Sequence, residues 1–271
     1  MKISARRVLR PLQIGLASVT LMAGMAATAA QDGALRVGVT AGPHAQMGDV
    51  VKKVAQEQGL AVELIEFSDF IQPNAALDAG DLDINVYQHR PFLESQNAMR
   101  GYKLVPVANG VVQPMGIYSR RHKALTDLPD GALIAIPNDP TNGARALLVL
   151  QAAKLITLKD GVTVTASLFD IEDNPKKLKF VEVEAAQLSH SLADVDAAAV
   201  NSAYAIPAGL SPSKDSLALE DQDAEFAVVV IAAREDNKGD PRIARFIKAY
   251  QSDELKQFVE KTFPGAYTVA W

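Results

Sequence analysis

Three short clusters in this 271-residue chain gather polar, aromatic and cationic side chains of the kind that hold a small molecule. The first is Asn138-Asp139-Pro140-Thr141-Asn142-Gly143-Ala144-Arg145, a tight polar loop running into a helix. Free backbone N–H groups at a helix start favour an anion, and Arg145 near the first turn can add a bidentate grip on a carboxylate. Ordinary capping by Thr141 or Asn142, with Arg145 in a surface ion pair, accounts for the same residues. The second cluster is Tyr87-Gln88-His89-Arg90-Pro91-Phe92, directly after a strand. Its aromatics can wall an apolar side chain, with His89 offering one polar contact. The competing reading puts Tyr87 and Phe92 in the core and His89 on the surface. Phe70, in Phe67-Ser68-Asp69-Phe70, carries the same two readings. The third cluster is Asn201 with Tyr204. An asparagine at a strand's carboxyl end can accept from an ammonium and donate to a carboxylate at once, or it can cap the next turn.

Covalent chemistry has no comparable support. There is no G-x-S-x-G, H-E-x-x-H, P-loop or dinucleotide-binding glycine pattern. His44, His89, His122 and His190 are isolated in the sequence, without metal-ligand spacing. Asp81 and Asp83 share one strand face, which a solvated edge explains. The reading is of a binding protein, with no enzyme activity, no cofactor and no metal.

The elements that would position these residues follow from periodicity. Leu35 to Val39 is a buried strand. After Gly42-Pro43, Met47, Val50, Val51 and Val54 recur at helical spacing, and Gly59 caps that helix. Leu60 to Phe67 is a strand, Pro73 to Leu77 a short helix stopped by Gly80, and Leu82 to Val86 a third strand. Leu133 to Ile136 is a strand, Asn138 to Gly143 the loop and Ala144 to Leu155 an apolar helix. Leu178 to Val183, Ala197 to Val200 and Val228 to Ala233 are further strands. Two helices, Pro241 to Tyr250 and Asp253 to Phe263, finish the chain. Strands alternating with helices predict parallel sheet and an α/β class. Val105 to Tyr118 and Glu225 to Ala233 are extended, without a helix of their own, and read as connections between two lobes. Lobe I then comprises residues 30–113 plus 228–271 and lobe II residues 114–227, with a ligand cleft between them.

The N-terminus reads as a signal peptide over residues 1–29. Lys2, Arg6, Arg7 and Arg10 precede an apolar stretch, and Ala27-Thr28-Ala29 is a small-residue cleavage pattern. Removing those four cations leaves 23 Lys and Arg against 32 Asp and Glu, a net charge of about −9. Such a surface argues against nucleic acid or anionic membrane as partner. The chain has no cysteine, which excludes disulfides, thiol catalysis and lipidation of an N-terminal cysteine. The expectation is a periplasmic species without acyl chains, acting as a monomer.

Taken together, the residues resemble the methionine-binding lipoprotein family of ABC importers, of the NlpA type. The likeness runs from Val37-Gly38-Val39-Thr40-Ala41-Gly42-Pro43-His44 through Glu66 to Phe70 and Tyr87 to Leu93. It is densest at Ile136-Pro137-Asn138-Asp139-Pro140-Thr141-Asn142 and continues through Asp194 to Ala198 towards Trp271. The resemblance implies a two-lobed type II periplasmic-binding fold. The lobes would close around methionine, L- or D-, or a closely related amino acid, for delivery to a membrane permease with a cytoplasmic ATPase. In the family, residues matching Phe70, Tyr87 and Phe92 enclose the side chain beside His89. Those matching Arg145 and Asn201 hold the carboxylate and amine, and Asn142 is expected among the ligand-binding residues. The chain departs from the family twice, in lacking the cysteine after the signal and in showing Val228 or Val229 where the family carries a second asparagine. The alternatives are a short methionine-containing peptide, another apolar amino acid, or a sensor or interaction protein built on the same fold.

Overall fold

Apolar strands that end in polar turns generate two separate sheets, and the functional residues collect where those strands end. The computed structural model describes Met1 and residues 33–221 and 223–271. The signal peptide expected over residues 1–29 lies outside the described residues, Met1 apart. Among the described residues the strands are β1 (Leu35–Thr40), β2 (Val62–Phe67), β3 (Ile84–His89), β4 (Leu104–Val112), β5 (Met115–Tyr118), β6 (Leu133–Pro137), β7 (Thr157–Leu158), β8 (Ile171–Asp173), β9 (Lys179–Val183), β10 (Ala197–Asn201), β11 (Ala218–Leu219), β12 (Val228–Arg234) and β13 (Thr268–Val269). The helices are α1 (Pro43–Glu57), α2 (Gln72–Ala79), α3 (Arg90–Arg100), α4 (Pro140–Ala152), α5 (Leu188–Ser191), α6 (Ser202–Ala205), α7 (Pro212–Asp215), α8 (Pro241–Tyr250) and α9 (Asp253–Thr262).

The six-stranded sheet has the order β13-β4-β12-β3-β1-β2, and a five-stranded sheet runs β11-β5-β10-β6-β9. β7 and β8 form a separate hairpin. The sheets are mixed rather than parallel. β1 is parallel to β2 and β3, and β6 is parallel to β9 and β10. β12 runs antiparallel to both β3 and β4, and β5 antiparallel to β10. The reversal arises because β4, β5 and β12 carry the chain from one sheet to the other and back without a long intervening helix, although Glu225–Ala227, expected to be extended, forms a single 3-10 turn before β12. The outward crossing is Gln113-Pro114, between β4 and β5, and the return crossing is residues 220–227. Gln113 N–H donates to the carbonyl of Ala227 at 3.0 Å, which ties the two crossings together.

Each sheet has its own apolar layer. Val37, Ile84, Ile231 and Phe246 belong to the first, Ile117, Ile134, Leu147 and Ala199 to the second. A third cluster, with Phe70, Tyr87, Phe92, Tyr118 and Val200, joins residues of both sheets. Burial at this scale, about 1.5–3 kcal/mol for each large apolar side chain, is what holds the strand ends in place.

Three local boundaries differ from the pattern reading. β3 extends to His89, so Tyr87, Gln88 and His89 are strand residues, all buried, rather than a loop after it. A helix, α3, begins at Arg90 with Pro91 in its first turn, and His89 is its N-cap, its Nδ1 accepting from Phe92 N–H. α4 starts at Pro140 rather than Ala144, because Asp139 caps it by accepting from Asn142 N–H at 2.9 Å. Proline is preformed for the first helical position, where its missing N–H costs nothing. Gly143 is required by close approach, since a Cβ there would sit 3.0 Å from the carbonyl of Pro137 at the end of β6.

Candidate functional site

The aromatic residues pack first. Phe70 follows β2, Tyr87 is on β3 and Phe92 on α3, with ring centroids 5.9 to 6.2 Å apart. Tyr204, on α6, closes on Phe70 at 4.7 Å. Such tilted and edge-on pairs are worth about 0.5–1.5 kcal/mol beyond the area they bury. The Tyr87 hydroxyl donates to the carbonyl of Phe70 at 2.9 Å, fixing the loop against the strand. Burial pushes that phenol well above its usual range, so it stays un-ionised. Beneath it, a buried amide network locks β3 to α2. Gln88 Nε2 donates to Asn74 Oδ1 at 2.6 Å, Asn74 Nδ2 returns a bond to Gln88 Oε1 at 2.7 Å, and Asn85 Nδ2 donates to Asn74 Oδ1 at 2.9 Å.

The polar end is organised by Asn142. Its Nδ2 donates to both carboxylate oxygens of Asp139, at 3.1 and 3.0 Å, which fixes the amide's orientation. Its Oδ1 then receives Arg145 Nη1 at 3.1 Å, Asn201 Nδ2 at 2.9 Å and His89 Nε2 at 3.2 Å. Because His89 Nδ1 accepts from Phe92 N–H, the ring proton belongs on Nε2, where it is donated to Asn142. Burial, reinforced by the Arg145 cation, holds the imidazole well below its ordinary pKa, so it is neutral. Asp139 is pushed up by its burial against the hydrogen bonds it accepts.

Arg145 is only 1% exposed. Its Nε and Nη2 donate to the two oxygens of Glu220 at 3.0 and 2.6 Å, and Nη2 also reaches the carbonyl of Gln113 at 2.7 Å. Glu220 Oε2 in turn accepts from Met115 N–H at 3.0 Å. Of the five guanidinium donors, one N–H on Nη1 is left for anything else. The bidentate face that the sequence suggested for a ligand carboxylate is therefore occupied by a residue of the chain itself. Asn201 differs from its expected double role in the same way. Its Nδ2 is committed to Asn142, and its Oδ1 is buried with no partner among the described residues.

These pieces border one narrow cavity. The structure brings all seven expected residues to it: Phe70, Tyr87, His89, Phe92, Asn142, Arg145 and Asn201. It adds Gln88, Gln113 and Ala227, which were not among the expected ligand-binding residues, and Val229, one of the two valines noted in place of the family's second asparagine. Gln113 Oε1 meets His44 Nε2 behind the cavity, and burial lowers His44 to about 4. Val229 faces the cavity, 2% exposed, opposite His89 in the sheet, whereas Val228 pairs with Val112 and does not line it. Of the two valines, Val229 is the one at the cavity. Glu220 had one faint signal, an acid closing the apolar run Leu217-Ala218-Leu219. Among the described residues no group of acids and histidines could hold a metal, and no helix is long and apolar enough to cross a membrane.

The chain is 46% identical over 240 residues to a Yersinia pestis protein named D-methionine-binding lipoprotein MetQ, covering 88% of each. A nutrient-binding protein from Burkholderia cenocepacia, solved bound to methionine, has 48% identity and a TM-score of 0.85 over 88% of this chain and 100% of that one. A periplasmic substrate-binding protein of an ABC transporter from Coxiella burnetii has 49% identity and a TM-score of 0.84, covering 87% and 100%. The fold is the two-lobed α/β fold of these substrate-binding proteins, which are not enzymes. The expectation of a species without acyl chains, drawn from the lack of cysteine, is corrected, since the Yersinia relative is named a lipoprotein and so is the matching family. The model of that family, described as NlpA lipoprotein, matches residues 35–271, and the chain belongs to it.

Proposed function

We propose that this chain is the solute-binding component of an ABC importer and that it takes up one free methionine, of either hand, between its two lobes. The observation that carries the reading is the buried Oδ1 of Asn201, without a partner among the described residues, in the same cavity as an Arg145 that the described residues leave with one N–H uncommitted. Both residues donate to the same Asn142 oxygen and both line the cavity. That pair suits the ammonium and carboxylate of an α-amino acid. The Phe70, Tyr87 and Phe92 rings supply an apolar enclosure for an unbranched, polarisable thioether tail, a contact favourable to sulfur. The relatives' methionine-binding names support the same ligand.

Lobe I is residues 30–113 plus 228–271 and lobe II residues 114–227, joined through the two crossings. The ligand acts by favouring the closed arrangement, which only differential affinity for that state achieves. Closure excludes water and strengthens each charged contact. The closed monomer is then the form that a permease with a cytoplasmic ATPase receives. The test is native mass spectrometry of the purified protein followed by calorimetric titration with both enantiomers of methionine. Saturable binding of one molecule supports the reading. A retained mass matching a peptide or a different amino acid, or no binding of either enantiomer, overturns it.

A further inference from the structure

Arg145, which lines the cavity, forms a buried ion pair with Glu220, their side chains 1% and 4% exposed. Glu220 lies in the return crossing, and its carboxylate accepts three hydrogen bonds. It takes two donors from Arg145 and the N–H of Met115, while its own N–H donates to the carbonyl of Met115 at 2.8 Å. We propose that Glu220 sets the charge class of the ligand. By neutralising Arg145 it makes the polar end of the cavity fit a zwitterion and reject ligands carrying a net charge of either sign.

The physical argument is about what the dry site would otherwise contain. A lone Arg145 would present a buried, largely uncompensated cation, and such a site draws in any carboxylate whether or not it has an amine. With Glu220 in place the cation and anion cancel. What remains for the ligand is one N–H donor and one amide acceptor, Asn201 Oδ1, which call for equal and opposite charges. An anion lacking the amine would leave Asn201 Oδ1 unmatched and set a second negative group near Glu220. A cation lacking the carboxylate would meet Arg145 with nothing to accept its N–H. Glu220 touches no ligand in this scheme and acts through Arg145.

This inference rests on the zwitterion reading above, and its test separates the two. The full chain is titrated with methionine, with its des-amino analogue (a methylthio-butanoate, net −1) and with its decarboxylated analogue (a methylthio-propylamine, net +1). Both analogues are smaller than methionine, so exclusion by size plays no part. The unchanged protein should prefer methionine to each by roughly tenfold or more. E220Q should shift the ratio of anion to methionine affinity towards the anion by roughly tenfold and move the amine the other way. E220D, which keeps the charge, should retain the original order. A uniform loss with E220Q across all three ligands, or an unchanged ranking, would make Glu220 merely structural and overturn the proposal. If E220Q does not fold, the unchanged protein still decides, since binding of the des-amino anion within about threefold of methionine is equally fatal. Failure of the unchanged protein to bind methionine at all would instead sink the methionine reading.

Discussion

Asn201 donates its amide N–H to Asn142 Oδ1 at 2.9 Å and, in doing so, aims its own Oδ1 at nothing else in the buried site. An acceptor left without a partner costs about 1–3 kcal/mol, and a ligand ammonium would recover that. Asn201→Ala should weaken methionine binding by roughly tenfold or more. Thermal stability of the ligand-free protein should change little, because the lost bond is offset by removal of an unpaired oxygen. Calorimetry and thermal melts read the two effects separately. An unaltered affinity would place the ammonium elsewhere.

Arg145 and Glu220 predict a stability pattern of their own. Removing one partner of a buried pair leaves an uncompensated charge and costs about 3–5 kcal/mol, whereas replacing both with apolar residues is often neutral. Arg145→Met alone should therefore lower the melting temperature sharply. Combining it with Glu220→Leu should recover most of that loss while methionine binding stays weak. A double variant no more stable than the single one would mean that the remaining bonds to Met115 N–H and the Gln113 carbonyl, rather than the charges, dominate the site.

Val229 faces the cavity where the resemblance leads one to expect a second amide. Val229→Asn should raise methionine affinity by about tenfold, a gain of some 1.4 kcal/mol from one more acceptor for a charged group. Val228→Asn, on the strand residue beside it that does not line the cavity, should leave affinity unchanged. Equal effects from both substitutions would show that neither side chain reads the ligand.

His44 gives the protein an acid-sensitive element. Burial lowers its pKa from 6.5 to about 4, so the folded protein keeps it neutral while the unfolded chain takes up a proton. A group of this sign contributes stability above its unfolded pKa and loses it as pH falls towards the folded value. Unfolding free energy should drop between about pH 6.5 and pH 4 by some 3 kcal/mol on account of this residue, at about 1.4 kcal/mol per unit. Urea titrations across that range check it. His44→Gln should show a shallower slope there, with His89 supplying what remains, and an identical slope would remove His44 from the account.

The α/β class and the order of most elements were legible in the sequence, which also offered the seven cavity residues as candidates, with the family resemblance favouring their binding roles over structural ones. Each of those residues sits next to a strand–helix junction with a local signature: Asp139-Pro140 before a helix, Tyr87-Gln88-His89 before Pro91, Asn201 after an alanine-rich strand. Caps, prolines and apolar periodicity act over a few residues, so they can be read in order along the chain. Only the tertiary structure decided what those residues are free to do. Glu220 lies 75 positions from Arg145, with no local pattern joining them, yet it takes the bidentate face that a ligand carboxylate would have used. The choice between Val228 and Val229 depends on strand register, where a slip of one residue sends a side chain to the opposite face, and β12 shifts register against β4 between Val228 and Val230. The mixed sheets likewise follow from two crossings whose destination no short window encodes. Hydrogen-bond capacity in a buried site is shared among residues distant in sequence, so the fold, rather than the identity of each side chain, determines which donor and which acceptor remain for the ligand.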